Sequence, residues 1–164
     1  VRFPKPYVCG ITGFAPAAAT CVALCADYRI MGQGDKHVMG LNEFKMSLVI
    51  PEMMGDIYAY HLGEKAAWEA VQSAQVFTAT EALTVGLVNE AVEVEEVVAK
   101  TEDRMRKMLN VLPSTYAQSK LIMRKGLLKL VDRDISAMLK QVRAHLEDPV
   151  TKQMFELFLA KLKR

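Results

Sequence analysis

One stretch of sequence decides the fold: residues 5–30, which read KPYVCGITGFAPAAATCVALCADYRI. Strand-forming residues fill positions 7–12, a glycine and a proline follow at positions 13 and 16, and every residue from Ala17 to Ala26 is small or apolar. This order predicts a strand, a tight turn, a helix buried on all sides and a second strand. Because a helix N-terminus presents unpaired backbone N–H groups, the small residues at its start leave room for an anionic oxygen.

A single acidic residue, Glu43, stands in the apolar, glycine-bounded stretch 38–46, which reads VMGLNEFKM. A carboxylate beside Leu41 and Phe44 is expected to be partly desolvated, which raises its affinity for a proton. A raised pKa suits a general base that works near neutral pH. The alternative is that Glu43 simply follows Asn42 in the first turn of a helix and faces water.

The order of these residues resembles the crotonase superfamily, the enoyl-CoA hydratases and isomerases. The resemblance is carried by Lys5-Pro6, Thr12-Gly13, Ala15-Pro16-Ala17-Ala18-Ala19, Asp27-Tyr28-Arg29-Ile30 and Gly40-Leu41-Asn42-Glu43. The last segment is most similar to the mitochondrial-type 3,2-enoyl-CoA isomerase branch. Over essentially the whole chain, the resemblance implies an α/β fold: the C-terminal part of a crotonase-like ββα spiral core in residues 1–92, then an α-helical oligomerisation region in residues 93–164.

The resemblance also implies a set of site residues. Glu43 would be the catalytic acid and base, and the backbone N–H of Ala18 would stabilise charge on the thioester oxygen. Ala17, Ala18, Gly40 and Leu41 would bind the substrate. The family usually carries two or three glycines where this chain has alanines. The methyl of an alanine here is expected either to crowd the ligand or to require a backbone shape that glycine adopts more cheaply, which would make the oxyanion hole tighter.

A second departure from the family pattern concerns the chemistry. Hydratases place a second Glu near the start of the buried helix to activate water, and this chain has Cys21 at that position. One carboxylate can shuttle a proton, whereas adding water across a double bond normally needs two. The resemblance therefore favours an isomerase that shifts the double bond of 3-enoyl-CoA to trans-2-enoyl-CoA in fatty-acid β-oxidation. Hydratase or other crotonase chemistry, and a non-catalytic crotonase-fold subunit, remain as alternatives; other chemistry would need Glu52 or Asp56 to fold back into the pocket.

The resemblance carries further expectations about the whole protein. The chain is expected to be a C-terminal portion, and the parent protein a homotrimer or a dimer of trimers. Coenzyme A arrives as part of the acyl-CoA substrate, so no separate cofactor is expected. The mitochondrial matrix is the expected location, with a peroxisome-like organelle as the alternative.

Composition excludes several other classes of function. The chain is 51% hydrophobic and 24% charged with a net charge of +2, and it has no basic cluster interleaved with aromatics of the kind that binds nucleic acid. No apolar run approaches the ~20 residues of a membrane span. The three cysteines have no His or acid at ligand spacing, so no metal site is predicted. Of the three histidines, His37 lies nearest to Glu43 in sequence and is expected to be the one that touches it.

The rest of the chain reads mainly as helix. A helix is predicted from Pro51, a second carries Trp68, and Thr78 is expected to cap a short third helix before a strand over residues 87–92. From residue 93 onward, apolar stripes predict four helices, with starts near residues 94, 113, 132 and 149. The helix from Pro113 is expected to continue through Leu128, and Asp132 is expected to cap the next one. These stripes, which include Leu139, Phe158 and Leu162, exceed what four helices can hide from water, which favours packing against neighbouring subunits.

Overall fold

Two small sheets with helices packed around them form the structure, a computed structural model that describes residues 1–162. Residues 163 and 164, the end of the predicted helical region, lie outside the described residues, as does the side chain of Leu162. The described strands are β1 (Val8–Ile11), β2 (Ala15–Pro16), β3 (Tyr28–Gly32), β4 (Val38–Gly40), β5 (Phe77–Thr78) and β6 (Glu90–Val92). The described helices are α1 (Ala18–Leu24), α2 (Glu52–Leu62), α3 (Glu64–Gln72), α4 (Ala79–Thr84), α5 (Val97–Met108), α6 (Pro113–Met123), α7 (Lys125–Val131), α8 (Ser136–Glu147) and α9 (Pro149–Leu162), with short 3-10 helices at Glu43–Met46 and Val94–Glu96.

The first sheet has the strand order β1-β3-β6, and all three strands are parallel. In the second sheet β4 lies between β2, which is parallel to it, and β5, which is antiparallel. The α1 helix connects the two sheets, because it begins directly after β2 and leads into β3. The mixed α/β class and the order strand, turn, helix, strand over residues 5–30 are confirmed.

The prediction that α1 is buried on all sides is wrong. Its inner face is buried at Thr20, Cys21, Ala23 and Leu24, where the helix packs against α2, β2 and β4. Its outer face is exposed at Ala18, Ala19 and Val22, the last of which is 61% exposed. Uniformly small and apolar residues carry no stripe, so the sequence could not show which face packs.

The main apolar core lies between α1, α2, α3 and the two sheets. It includes the fully buried side chains Leu24, Met31, Met39, Leu41, Tyr58, Leu87 and Leu127. Leu127 comes from α7, so the helical region contributes to the same core as the sheets. Burying large apolar side chains of this kind supplies most of the driving force for folding.

A buried polar cluster joins the helical region to the sheets. The carboxylate of Asp27 accepts hydrogen bonds from the backbone N–H of Tyr7 (2.8 Å) and from Lys120 Nζ (2.7 Å), and lies 3.2 Å from Arg124 Nη1. The Arg124 guanidinium also donates to the carbonyls of Cys25 (2.8 Å) and Ala26 (2.7 Å) at the end of α1. Because these groups are largely hidden from water, removing the Asp27 carboxylate would leave Lys120 and Arg124 without a counter-charge, which costs about 3–5 kcal/mol.

Three predictions about helix and strand limits need correction. The helix that begins at Pro113 ends at Met123, and α7 begins after Arg124, whose backbone (φ −99°, ψ 14°) leaves the helical region. Asp132 does not cap the next helix, because it pairs with Arg2, whereas Asp134 Oδ1 accepts the N–H of Ser136 (2.9 Å). The strand predicted over residues 87–92 is confined to β6. Leu87 and Val88 instead donate their N–H groups to the carbonyl of Ala82 in α4.

Local end signals were predicted correctly where neighbouring residues supply them. Thr78 caps α4 in a capping box, in which its hydroxyl accepts the N–H of Glu81 and the Glu81 carboxylate accepts the N–H of Thr78. Pro113 is the first residue of α6, and Pro149 the first of α9. The α2 helix begins one residue after Pro51 and ends before Gly63.

Candidate active site

Glu43 is buried at the start of the 3-10 helix that follows β4. Glu43 is only 5% exposed, and its Oε2 atom has no hydrogen-bond partner within residues 1–162. Burial raises the pKa of the carboxyl group above its ordinary value, an effect that the backbone amide of Glu43 itself partly opposes. The expected desolvation is therefore present. Glu43 does lie in the first turn of a helix, but it does not face water.

The Glu43 side chain lines a cavity of about 200 Å³ whose other walls are almost entirely apolar. The lining residues are Ala17, Ala18, Glu43, Met46, Leu48, Val49, Pro51, Met54, Val142, His145 and Leu146. They come from the start of α1, from the 3-10 helix and the segment after it, from α2 and from α8. A carboxylate in such surroundings exchanges a proton with an apolar substrate more readily than one in water, because no solvation shell competes for it.

The start of α1 forms one wall of the cavity. Ala17 has a positive φ (φ 57°, ψ −128°), a conformation that glycine adopts at little cost and alanine does not. Its N–H donates to the carbonyl of Gly40 (2.7 Å), which fixes the turn against β4. Ala18 is the first residue of α1, so its N–H has no acceptor within the helix. Ala17 and Ala18 line the cavity together with Glu43.

Thr20 holds the turn and the end of β4 together. Its hydroxyl, which is fully buried, donates to the carbonyl of Ala15 (2.7 Å) and accepts the N–H of Gly40 (2.7 Å). One side chain thus satisfies a donor in β4 and an acceptor in β2. The Thr20 hydroxyl therefore links β2, which precedes α1, to β4, which precedes the Glu43 segment.

Gly40 and Leu41, predicted to bind substrate, lie behind the cavity wall and not among its lining residues. Leu41 is 1% exposed and belongs to the apolar core. A Cβ atom on Gly40 would stand 2.7 Å from the carbonyl oxygen of Gln75, and its φ of 144° further disfavours any other residue. Gly40 and Leu41 precede Glu43 in the chain. Of the four residues predicted to bind substrate, Ala17 and Ala18 line the cavity.

No second carboxylate reaches the cavity within the described part of the chain. Cys21 is buried close enough to Glu43 that burial, with the Glu43 carboxylate second, raises the pKa of its thiol to about 12. The thiol is therefore neutral at physiological pH. Glu52 and Asp56 form ion pairs with Arg133 and line a different groove, beside Trp68.

The prediction that His37 is the histidine beside Glu43 is wrong. His37 Nδ1 lies 3.1 Å from the carbonyl of Gly32, and His37 does not line the cavity. His145 of α8 lines it instead, with its Nε2 3.1 Å from the carbonyl of Ser47, which ends the 3-10 helix of Glu43. Val142 and Leu146 lie beside it, and no local signal in the sequence could place α8 over Glu43.

Two further observations bear on the class of site. Among residues 1–162, no group of three or more His, Cys, Asp or Glu side chains is arranged to hold a metal ion. In the same residues, no helix combines the length and apolar character needed to cross a bilayer.

Comparison with known proteins gives consistent results at three levels. The sequence profile of the family described as enoyl-CoA hydratase/isomerase matches residues 1–163. The mitochondrial enoyl-CoA delta isomerase 1 of Mus musculus is 31% identical over 157 residues, which are 96% of this chain and 54% of the relative. A probable enoyl-CoA hydratase of Mycobacterium tuberculosis is 36% identical over 120 residues, which are 71% of this chain and 44% of the relative.

Solved structures show the same likeness in three dimensions. The crystal structure of human mitochondrial delta3-delta2-enoyl-CoA isomerase superposes with a TM-score of 0.91 at 25% identity, covering 99% of this chain and 63% of that one. A probable enoyl-CoA hydratase from Mycobacterium tuberculosis superposes with a TM-score of 0.78 at 26% identity, covering 85% of this chain and 58% of that one. The chain spans about half the length of the curated relatives it matches.

Proposed function

The chain belongs to the enoyl-CoA hydratase/isomerase family, and from that premise we propose that its protein shifts the double bond of 3-enoyl-CoA thioesters to the trans-2 position in fatty-acid β-oxidation. The observation that carries the proposal is the single buried carboxylate: Glu43 lines an apolar cavity into which no second acid projects from the described residues. The isomerase names of two relatives, from mouse and human, support it.

The proposed reaction is a proton shuttle between two carbons of the acyl chain. The Glu43 carboxylate removes a proton from C2, and the electron pair of that C–H bond moves into a dienolate whose charge lies largely on the thioester oxygen. The same carboxyl group then returns the proton to C4, so that the double bond moves from C3–C4 to C2–C3. A desolvated carboxyl group with a raised pKa suits both steps, because it is a stronger base than an exposed one and still a usable acid.

The charge on the thioester oxygen needs a donor. The backbone N–H of Ala18, at the start of α1 in the lining of the same cavity, is the group proposed for this role. Losing one donor of this type typically costs about 100- to 1000-fold in rate. The positive φ of Ala17 supports the assignment, because it turns the chain so that α1 begins at the cavity.

Hydration of 2-enoyl-CoA is the second candidate, favoured by the 36% identity to the mycobacterial protein named as a probable hydratase. It requires a second group to activate water. Burial raises the pKa of the Cys21 thiol to about 12, so the group stays a neutral S–H at physiological pH and cannot act as the base. A non-catalytic subunit is the third candidate, to which the strained alanine at position 17 would be no obstacle.

Assembly and location complete the proposal. The helical region exposes many large apolar side chains, among them Val98, Leu109, Leu112, Ile122, Met123 and Val150. We propose that partner chains cover these side chains in a homotrimer or a dimer of trimers. We also propose that the protein is located in the mitochondrial matrix, since the mouse relative is named as mitochondrial. Coenzyme A enters with the substrate and no other cofactor is proposed. Light scattering of the purified protein tests the assembly, and a stable monomer at micromolar concentration would contradict it.

The activity is tested by offering the intact protein two substrates separately, a 3-enoyl-CoA and a trans-2-enoyl-CoA, and separating the products by chromatography. The proposal expects conversion of the first substrate to trans-2-enoyl-CoA, with little 3-hydroxyacyl-CoA from the second. Formation of 3-hydroxyacyl-CoA as the main product would replace isomerase by hydratase. Binding of either thioester without turnover would favour the non-catalytic subunit.

A further inference from the structure

Helix α8 forms part of the wall of the Glu43 cavity although it is only lightly attached to the rest of the molecule. None of its residues is buried, yet Val142, His145 and Leu146 line the cavity. Within residues 1–162, its side chains form one hydrogen bond to another element: His145 Nε2 lies 3.1 Å from the carbonyl oxygen of Ser47. This bond is the direct polar link between α8 and the segment that carries Glu43.

Ser47 is the residue at which the chain turns back after the 3-10 helix of Glu43. It has a left-handed backbone (φ 56°, ψ 32°), which residues other than glycine seldom adopt. The turn lets the Leu48 N–H donate to the carbonyl oxygen of Glu43 (3.0 Å), while the Ser47 N–H donates to that of Phe44 (3.2 Å). Because such a conformation persists only where its surroundings support it, a contact that holds Ser47 also holds the backbone of Glu43.

The imidazole of His145 is suited to hold this turn. A carbonyl oxygen can only accept a hydrogen bond, so Nε2 carries the proton in the contact with Ser47. His145 also lines the cavity, together with Glu43, Met46 and Leu48. One ring therefore connects the wall that α8 supplies with the wall that the Glu43 segment supplies.

We propose that His145 is a positioning residue for Glu43: its hydrogen bond to the Ser47 carbonyl holds the turn that aligns the Glu43 carboxylate with a substrate in the cavity. The catalytic consequence rests on the proposed function, whereas the stabilised turn does not. His145 itself exchanges no proton with the substrate. Because a small displacement of a catalytic group slows the chemical step, loss of the bond should lower kcat more than it changes KM.

Amide hydrogen exchange tests the turn without reference to activity. His145→Leu removes the donor but keeps an apolar side chain at the cavity, so exchange of the Leu48 N–H should become about three- to tenfold faster. His145→Gln should restore the wild-type rate of exchange, because glutamine carries an N–H donor at nearly the same reach.

His37→Leu is the matched control for this exchange experiment. A ring nitrogen of His37 also lies 3.1 Å from a backbone carbonyl, but His37 does not line the cavity. Exchange of the Leu48 N–H in this variant should equal that in the wild type. If exchange in His145→Leu stays within about 1.5-fold of the wild-type rate, the bond does not hold the turn and the proposal is overturned.

A further measurement requires no loss of the side chain. In protein with ¹⁵N-labelled histidine at alkaline pH, where an imidazole is neutral, the His145 ring should carry its proton on Nε2. A proton on Nδ1 would overturn the proposal, because an unprotonated Nε2 cannot donate to Ser47.

Rates of 3-enoyl-CoA isomerisation in the intact protein test the catalytic consequence. The kcat of His145→Leu should fall about tenfold or more with KM within about twofold of wild type, and His145→Gln should recover most of the lost rate. A change in KM alone would show that His145 only lines the cavity, and would overturn its positioning role. Absence of isomerase activity in the wild type, with the exchange results as expected, would contradict the proposed function and leave the His145 contact standing.

Discussion

Replacing Ala17 by glycine should make the protein more stable, although most substitutions do the opposite. Ala17 is held at φ 57° and ψ −128° between β2 and α1. The Cβ atom of an L-residue is crowded by the backbone in this conformation, whereas glycine has no Cβ and adopts it readily. The N–H of residue 17 would keep its hydrogen bond to the carbonyl of Gly40, because glycine retains the backbone amide.

The size of the effect follows from two opposing contributions. A non-glycine residue in a sparsely populated backbone region costs about 1–3 kcal/mol, and Ala17→Gly removes that cost. Glycine also loses more freedom on folding, which takes back about 0.4–1 kcal/mol. The expected result is an increase of about 1 kcal/mol in the free energy of unfolding.

Equilibrium urea unfolding of the purified variants measures this change. Ala19→Gly is the matched control, because Ala19 is exposed and lies within α1, where glycine should lower stability by about 0.5–1 kcal/mol. The same substitution two residues apart should therefore shift the unfolding midpoint in opposite directions. If Ala17→Gly is as stable as wild type or less stable, the conformation at position 17 is not strained and the reasoning is refuted.

Three further predictions concern the site and its supports. Thr20→Val should lower the free energy of unfolding, measured in urea, by about 2–4 kcal/mol, because the Gly40 N–H and the Ala15 carbonyl each lose a hydrogen bond. Thr84→Val removes an exposed hydroxyl and should have little effect. An equal loss of stability in both variants would contradict this prediction. Burial lowers the pKa of His61 from 6.5 to about 4. The neutral histidine therefore contributes fully to the free energy of unfolding above about pH 6.5, and this contribution is lost as the pH falls towards 4. Between pH 7 and pH 5 the free energy of unfolding should fall by about 1–2 kcal/mol more in the wild type than in His61→Gln, and equal falls in both would refute this prediction. Cys21→Glu should produce weak hydration of 2-enoyl-CoA at a cost of several kcal/mol in stability, and a folded variant that forms no 3-hydroxyacyl-CoA would count against the alignment of Cys21 with the hydratase acid.

Features decided by neighbouring residues could be predicted from the sequence. The capping box of Thr78 and Glu81 and the proline at the start of α6 depend on residues within one helical turn. A pattern of local residues was sufficient in each of these cases. The burial of Glu43 was also predicted from its apolar neighbours in the chain, but residues of α1, α2 and α8 complete the cavity around it.

Features decided by distant contacts could not be predicted. The break between α6 and α7 falls at Arg124, whose guanidinium donates to carbonyls at the end of α1, almost a hundred residues away in the chain. The choice of Asp134 over Asp132 as the residue that holds the start of α8 depends on Arg2, which pairs with Asp132 at the far end of the sequence.

The cavity wall shows the same limit. Val142, His145 and Leu146 form part of an ordinary amphipathic helix pattern, and nothing local distinguishes a face that covers Glu43 from one that faces solvent. His37 was the natural choice by sequence distance, but β4 carries the chain away from it before Glu43 is reached. The exposed outer face of α1 is a further case, since a helix of small residues has no stripe to mark the side that packs.

The central claim, that Glu43 moves the proton, is tested most directly by comparing the rate of the 3-enoyl-CoA to 2-enoyl-CoA conversion in the intact wild type and in Glu43→Gln. Glutamine keeps the shape of the side chain but cannot act as a base. Glu52→Gln is the control, because it removes a surface carboxylate that pairs with Arg133 away from the cavity. The account predicts a loss of about 1000-fold or more in Glu43→Gln, with acyl-CoA binding retained and Glu52→Gln unaffected; activity of Glu43→Gln within about tenfold of wild type would contradict it.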